Sequence, residues 1–547
     1  MAHNIADLFE HAVDAAPDAL ALIMGDRRVT LGDLERESNR LAHHLQGAGV
    51  QPGDHVAVYS KNSIEYAVSI LAICKIRAVN VNVNYRYVEG ELDYLFENAD
   101  VTCLLAERTY APLVATTFPR HDKLHHVVVM PDSIPGEGPE PDISSFDGVL
   151  WDDALAGESD ARDFAQRSPD DLYIIYTGGT TGFPKGVMWR QEDFWRVLCG
   201  GIDFMTGEPV VEGAQAEQAA LPGRMSTFPM TPLMHGAAQA SLMMHLFAGH
   251  ATILEPRFDP ARTWELIERE NVQMIFFTGD ALGRPLIEEY ERQAASGAPY
   301  DGSSLFAISS SGALFSPAVK ERWMSAFPHA IFTDSIGASE TGFQGTGIQA
   351  AGQIGSDGPI VNLGPHMLVL DDANRPLDVT RDVGMIGRLA RGGHVPVGYY
   401  KDEVKSAATF VEIDGERYSI PGDMARIETE GRVTMLGRGS NCVNTGGEKV
   451  FPEEVEMAIK RHPAVYDCLV VGLPDETYGQ AVAAVVELRE GEAVELEELR
   501  EFLRAHLSGY KLPRTLTVVP QIPRNATGKA QYAQAREAAL TSLESTV

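Results

Sequence analysis

Cysteine is scarce. There are five in 547 residues, Cys74, Cys103, Cys199, Cys442 and Cys468, and no two are spaced as C-x-x-C. That density excludes a disulfide scaffold, and no zinc-ligand spacing appears. Positive charge is also short, with 45 Lys+Arg against 77 Asp+Glu and a formal charge of −32. So acidic a surface repels nucleic acid and anionic lipid, and any anionic ligand must be held by local cations. Long apolar runs are missing. The longest mostly apolar stretch, residues 237–249, contains His245 and falls short of the roughly 20 residues needed to cross a bilayer. The opening Met1-Ala2-His3-Asn4 leads into an amphipathic stretch without a basic then apolar leader, so a cytoplasmic protein is expected. Internal repeats and low-complexity tracts are absent too.

What remains is ordinary globular composition, 44% hydrophobic and 22% charged. Such a chain can bury a large core and is not disordered. At ~150 residues per domain the length allows three or four units, or equally one large unit and a small one. Helix and strand signals alternate through the first hundred residues. Thr30 and Asp33 form an approximate capping box, after which Leu31, Leu34, Leu41 and Leu45 mark one helical face up to Gly47. Strands are expected at 55–60 and 101–106, and helices from Ser63 and over 91–98. Val79, Val81 and Val83 alternate with Asn80, Asn82 and Asn84, the pattern of a strand with one buried face. Strands separated by helices imply a parallel sheet with helical cover. Residues 130–140 and 207–223 read as surface loops. Short strands with Gly-rich turns follow over 384–436, and then a small α+β texture: helix 453–462, strands 467–471 and 480–488, helix 494–507. The expected organisation is α/β: a large N-terminal α/β unit with parallel sheets and a small barrel-like subdomain over 1–436, a hinge at 437–441, and a small mobile α+β unit over 442–547.

The most informative segment is Tyr176-Thr177-Gly178-Gly179-Thr180-Thr181-Gly182-Phe183-Pro184-Lys185-Gly186, directly after an apolar strand at 172–175. Glycines let backbone N–H groups approach an anion, threonines add hydroxyl donors and the lysine adds a point charge. These are the parts of a phosphate cradle. It is not a Walker A loop, because G-x-x-x-x-G-K-[ST] is absent.

This loop resembles the signature of the adenylate-forming enzymes, which include acyl-CoA synthetases, luciferases and peptide-synthetase adenylation domains. Four further segments agree, in family order. Ser335-Ile336-Gly337-Ala338-Ser339-Glu340-Thr341-Gly342 is similar to the family's Y-G-x-T-E, and Tyr418-Ser419-Ile420-Pro421-Gly422-Asp423 to its Y-x-T-G-D. Gly437-Arg438, then Gly446-Gly447 and Pro452-Glu453-Glu454-Val455-Glu456, resemble its hinge and CoA segment. Pro523-Arg524-Asn525-Ala526-Thr527-Gly528-Lys529 resembles its terminal motif.

The resemblance implies two half-reactions. A carboxylate attacks the α-phosphate of ATP, giving acyl-adenylate and pyrophosphate; a thiol, usually that of CoA, then takes the acyl group and releases AMP. It implies that Thr177, Gly178, Gly179, Thr180, Thr181 and Lys185 hold the phosphates and that Glu340 holds Mg²⁺. Ser311-Gly312-Ala313 meets adenine, with Ser335, Ile336, Gly337 and Ser339 beside the nucleotide. Asp423 and Arg438 meet the ribose. Lys529 neutralises charge between carboxylate and α-phosphate, and His235 lies beside the carboxylate. Ser440 belongs to the hinge, and rotation there brings Gly446-Gly447 to the CoA pantetheine. Two positions depart from the common pattern: Ile336 stands where many relatives have an aromatic residue, and Ser440 where many have a charged one.

The family's acyl pocket corresponds to segments containing Met234, His235, Phe277, Thr278 and Phe343. They are apolar and carry no Arg or Lys for a second carboxylate. A hydrophobic monocarboxylic acid is therefore expected. The run from Asn444 to Pro452 and Val187-Met188-Trp189-Arg190 look most like actinobacterial fatty-acid and steroid-acid CoA ligases, which places the chain in lipid metabolism. The implied partners are the acid, ATP and CoA, with no nucleic acid and no integral membrane segment; many relatives form homodimers. The competing readings are a stand-alone adenylating ligase that passes the acyl group to an amine or carrier protein, and a catalytically silent scaffold. The chain ends soon after Lys529 without an L-G-G-x-S-type segment, so no fused carrier domain is expected.

Overall fold

Thr30 accepts a hydrogen bond from Asp33 N at 3.0 Å, and the Asp33 carboxylate accepts from Thr30 N at 3.1 Å. This reciprocal cap starts the helix Leu31–Gly47 where the sequence places it. The computed structural model describes residues 4–137, 142–177, 183–203, 206–211, 213–349, 359–364, 366–445, 448–525 and 528–544. The chain forms two units, each made of separated segments. One comprises Met1–Phe276, Ser339–Phe343 and Gly393–Glu412; the other comprises Phe277–Ala338, Gln344–Gly392 and Ile413–Val547.

The first unit contains an eight-stranded sheet in the order Gly398–Tyr399, Lys185–Arg190, Leu172–Thr177, Val79–Asn82, His55–Tyr59, Val101–Glu107, His126–Met130 and Val149–Leu150. The central strands are parallel, and Lys185–Arg190 runs antiparallel to Leu172–Thr177. A second set joins Leu20–Met24, Ala251–Ile253, Ser226–Pro229 and Met274–Phe277 in parallel. The alternating valines and asparagines do not leave one face exposed. Val79–Asn82 is a central strand buried on both faces, because helices cover each side, so Asn80 and Asn82 lie in the interior. The loop expected over 207–223 contains the helix Ala214–Ala219, which buries Ala219 against Gly249. The apolar run 237–249 forms the buried helix Gly236–Phe247, where burial pushes the His245 imidazole down to about 3. Among the described residues no helix is long and apolar enough to cross a membrane.

In the second unit, Ala307–Ser311 pairs in parallel with Ile331–Ala338, with Ser311 opposite Ser335. Antiparallel strands follow: Ile360–Leu363 beside Arg432–Arg438, then Asp423–Ile427, Ile386–Arg391 and Met367–Leu370. They enclose a core of Val361, Val369, Leu389, Ala425, Ile427 and Val433. The C-terminal segment builds a five-stranded sheet around the long hairpin Val465–Asp475 and Gly479–Leu488. The helices Pro452–Ile459 and Tyr532–Glu544 pack on it; the latter is not anticipated by the sequence pattern. The fold is mixed α/β with parallel sheets, as the order of elements implies.

Candidate active site

Thr177 ends one strand and Lys185 begins the next, and the two face each other in antiparallel register. The strands on either side of the Gly/Thr segment are thus an antiparallel pair. Gly178, Gly179, Thr180 and Thr181 lie outside the described residues, as do Gly446 and Gly447. Gly186 is required at the exit, because a Cβ there would lie 2.7 Å from the Tyr176 ring. The strand Gly398–Tyr399 pairs with Lys185–Arg190, and Tyr400 N donates to Gly186 O at 2.8 Å. This pairing brings Tyr399 and Asp402 to the lysine. The Lys185 ammonium pairs with the Asp402 carboxylate and lies 5.8 Å from the Tyr399 ring centre. The ammonium holds the Asp402 carboxyl below its ordinary range.

Glu340 sits in the turn between Ile331–Ala338 and Gly342–Gln349, half-buried, and accepts a hydrogen bond from the Tyr399 hydroxyl at 3.0 Å. The preceding Ser339 carbonyl accepts from Trp189 Nε1 at 3.0 Å. Tyr399 therefore touches both charged groups that the sequence assigns to phosphate and metal. Among the described residues no group of three or more His, Cys, Asp or Glu is arranged to hold a metal. One held carboxylate fits Mg²⁺, which takes one or two protein carboxylates and fills its shell with phosphate oxygens and water.

Met234 and His235 stand at the start of the helix Gly236–Phe247. Asn62 Oδ1 accepts from Leu233 N at 2.6 Å, and Gln239 Nε2 donates to Leu233 O at 2.7 Å. Asn82 reaches further. Its Nδ2 donates to Tyr176 O at 3.0 Å and Met234 O at 2.6 Å, and its Oδ1 accepts from Tyr176 N at 2.7 Å. One buried amide thus fixes the residue before Thr177 and the residue before His235. Met234 is buried, His235 is partly exposed, and Phe343 packs at the margin of the first unit's core. Asn82, Gln239, Tyr399 and Asp402 were missed by sequence reasoning. The only signal was asparagine in an otherwise apolar strand.

In the second unit three distant motifs meet. Ser311-Gly312-Ala313 leaves the strand end where Ser335 begins its own segment. Gly312 has φ +77°, and the Lys529 Cε lies 3.4 Å from where a Cβ on Gly312 would stand. Thr278 Cγ2 is 3.7 Å from the same point. Phe277 is fully buried, edge-on to Phe315 and stacked on Trp323. Ile336 packs partly buried beside the core that contains Val361, and Gly337 is exposed. Asp423 and Arg438 are opposed in register, and Arg438 Nε lies 2.7 Å from Asp423 Oδ1. Arg438 Nη1 also donates to Pro421 O at 3.0 Å. Ser440 is exposed in the short turn Gly439–Asn441. Gly437 has φ +87°, and a Cβ there would meet the Glu453 carboxylate at 2.0 Å.

Comparison with known proteins agrees along the whole chain. The AMP-binding enzyme family model matches residues 9–400, and the AMP-binding enzyme C-terminal domain matches 454–529. A 3-oxocholest-4-en-26-oate–CoA ligase of Rhodococcus rhodochrous is 50% identical over 540 residues, covering 98% of this chain and 96% of the relative. A medium/long-chain-fatty-acid–CoA/3-oxocholest-4-en-26-oate–CoA ligase of Mycolicibacterium smegmatis is 49% identical over 538 residues, with the same coverage. The fold matches the crystal structure of the anthranilate CoA ligase AuaEII in complex with anthranoyl-AMP, with TM-score 0.83 at 22% identity over 99% of this chain and 98% of that one. Both family models match in the expected order and half-identical relatives run its full length, so the chain belongs to the AMP-binding enzyme family.

Proposed function

We propose that this protein is an AMP-forming acyl-CoA ligase acting on hydrophobic monocarboxylic acids, either medium- to long-chain fatty acids or steroid side-chain acids. The reading is carried by the relatives at about half identity along the full chain, both named as CoA ligases for such acids. The meeting of Lys529, Gly312 and Thr278 at one strand end supports the chemistry.

In the first step an acid oxygen bonds to the α-phosphorus of ATP and the bond to pyrophosphate breaks. Negative charge gathers around phosphorus, so fixed cations and oriented donors lower the barrier. We assign Lys529 to that charge. Thr177, the loop glycines and threonines and Lys185 hold the β- and γ-phosphates, and Asp402 is the anion Lys185 pairs with otherwise. Asp423 and Arg438 hold the ribose, Ser311-Gly312-Ala313 and Ile336 the base. Glu340 would hold Mg²⁺, oriented by the Tyr399 hydroxyl. When bound, the ion supplies charge neutralisation on the phosphate oxygens. In the second step the CoA sulfur bonds to the acyl carbon and AMP leaves, with Gly446-Gly447 assigned to pantetheine. We assign the adenylation core to 1–436, the hinge to 437–441 and the C-terminal domain to 442–547. A cytoplasmic setting fits five cysteines that are all free thiols, four of them buried.

The test is nucleotide product from ATP and Mg²⁺ with a panel of hydrophobic acids, with and without CoA. AMP that requires both acid and CoA is the expected result. Pyrophosphate exchange without CoA-dependent AMP would move the acceptor to an amine or carrier protein. ADP would overturn adenylation.

A further inference from the structure

A line of buried charges runs through the second unit to the turn that presents Lys529. It begins at Asp280, in the first turn of the helix Gly279–Ala295. Asp280 Oδ1 accepts from Ser316 N at 2.8 Å, and Oδ2 lies 3.2 Å from Arg284 Nη2 and 3.4 Å from Lys460 Nζ. Lys460 Nζ is 2.9 Å from Asp467 Oδ1. Arg524 grips Asp467 with its fork, Nε to Oδ2 at 2.7 Å and Nη2 to Oδ1 at 3.0 Å. The remaining arm, Nη1, donates to Gly528 O at 2.9 Å. That carbonyl belongs to the peptide leading into Lys529.

Gly528 has φ +79° and donates to Asn525 O at 2.9 Å, while Lys529 N donates to Asn525 Oδ1 at 3.0 Å. A Cβ on Gly528 would lie 2.3 Å from Ala281 Cβ, so the turn rests on the same helix turn that carries Asp280. The Lys460 and Asp280 side chains are only 1% and 4% exposed. Burial works against the Lys460 charge, but Asp467 and Asp280 carry its pKa above the ordinary value. Buried ion networks contribute little to stability against apolar replacements of similar volume. What a bidentate guanidinium does supply is fixed orientation.

We propose that Asp280, Lys460, Asp467 and Arg524 form a positioning chain for Lys529: Arg524 orients the turn, and Asp280 anchors it to the helix next to Thr278. This rests on the reading of Lys529 as the adenylation cation. The chain ties the lysine to the segment assigned to the acyl pocket, so a bound acid and the ammonium share one support. Its effect is confined to the first half-reaction, because charge does not build on phosphorus when the thiol attacks the acyl carbon.

Asp280→Asn keeps the acceptor for Ser316 N–H and removes the charge, and Arg524→Lys keeps the charge and removes the fork. Both are compared with wild type and Lys529→Ala in three measurements on the full chain: acid-dependent pyrophosphate exchange, thioester formation from preformed acyl-adenylate and CoA, and thermal unfolding. Misplacement of a catalytic group by an ångström costs up to ~10²-fold, so exchange should fall about 10- to 100-fold in both variants, with KM for ATP and thioester formation within about twofold. Wild-type exchange in these variants, with Lys529→Ala inactive, would overturn the positioning chain and leave the lysine's role intact. Equal loss of both half-reactions with lowered unfolding temperature would also overturn it, as a purely structural network. Normal exchange in Lys529→Ala would instead remove the underlying assignment.

Discussion

The turn that carries His235 is braced by neutral amides from Asn62, Asn82 and Gln239, whereas the turn that carries Lys529 is braced by charge, through Arg524 and Asp467. Neutral hydrogen bonds contribute about 1 kcal/mol each and depend little on pH or salt. Buried charges gain less overall, yet removing one partner leaves the other stranded. The first brace therefore stabilises as well as orients, and the second chiefly orients. The charged region also contains a second kind of buried group. Glu456 is buried and Glu453 is half-buried with its Oε2 enclosed; burial pushes both carboxyls well above their ordinary value of 4.5, and repulsion from Glu456 adds to the rise at Glu453.

Breaking the charged brace should have the largest effect on stability. Asp467→Ala removes the carboxylate that Arg524 grips and the nearer of the two that face Lys460, and should cost about 3–5 kcal/mol in denaturant unfolding. A loss below about 1 kcal/mol would mean that water or relaxation replaces the carboxylate. Asn82→Ala breaks the neutral brace. It removes the partners of Tyr176 N–H and of two carbonyls, and should cost about 2–3 kcal/mol, the same at every pH tested. A strongly pH-dependent loss there would erase the contrast between the two regions.

The acid pair sharpens the contrast through its sign. The folded state holds a proton that the unfolded state releases near the ordinary value of 4.5. Stability is fully present below that value and is lost as pH rises through the raised one. Wild-type unfolding temperature should fall over this window, and Glu453→Gln should flatten the fall by an amount of order 1 kcal/mol. Parallel pH profiles for the two proteins would show that Glu453 is already ionised when folded.

The smallest effect belongs to Tyr399→Phe, which deletes one hydrogen bond to Glu340. A loss of about 1 kcal/mol corresponds to roughly a fivefold rise in KM for ATP at unchanged unfolding temperature. An unchanged KM would separate Glu340 orientation from nucleotide binding.

Much of the frame was legible locally. The Thr30–Asp33 cap, the helix Leu31–Gly47 and the strand that leads to Thr177 follow from neighbouring residues, because caps and periodicity act over a few positions. The helix Ala214–Ala219 escapes the sequence pattern because its apolar face is made of alanines, which pattern weakly. The alternation in Val79–Asn82 implies one buried face, since it cannot tell solvent from a second covering layer that accepts asparagine.

The order of elements, the Gly/Thr-rich segment after Thr177 and the identity of the charged residues can be read from the chain alone, because all of them are local in it. Their partners come from folding. Asn82 and Met234 are 152 residues apart, Lys460 and Asp280 are 180, and Lys185 and Asp402 are 217. Neither propensity nor spacing carries information over such distances. Sheet register brings Asp402 to Lys185, and packing of the C-terminal segment onto the helix Gly279–Ala295 brings Lys460 to Asp280.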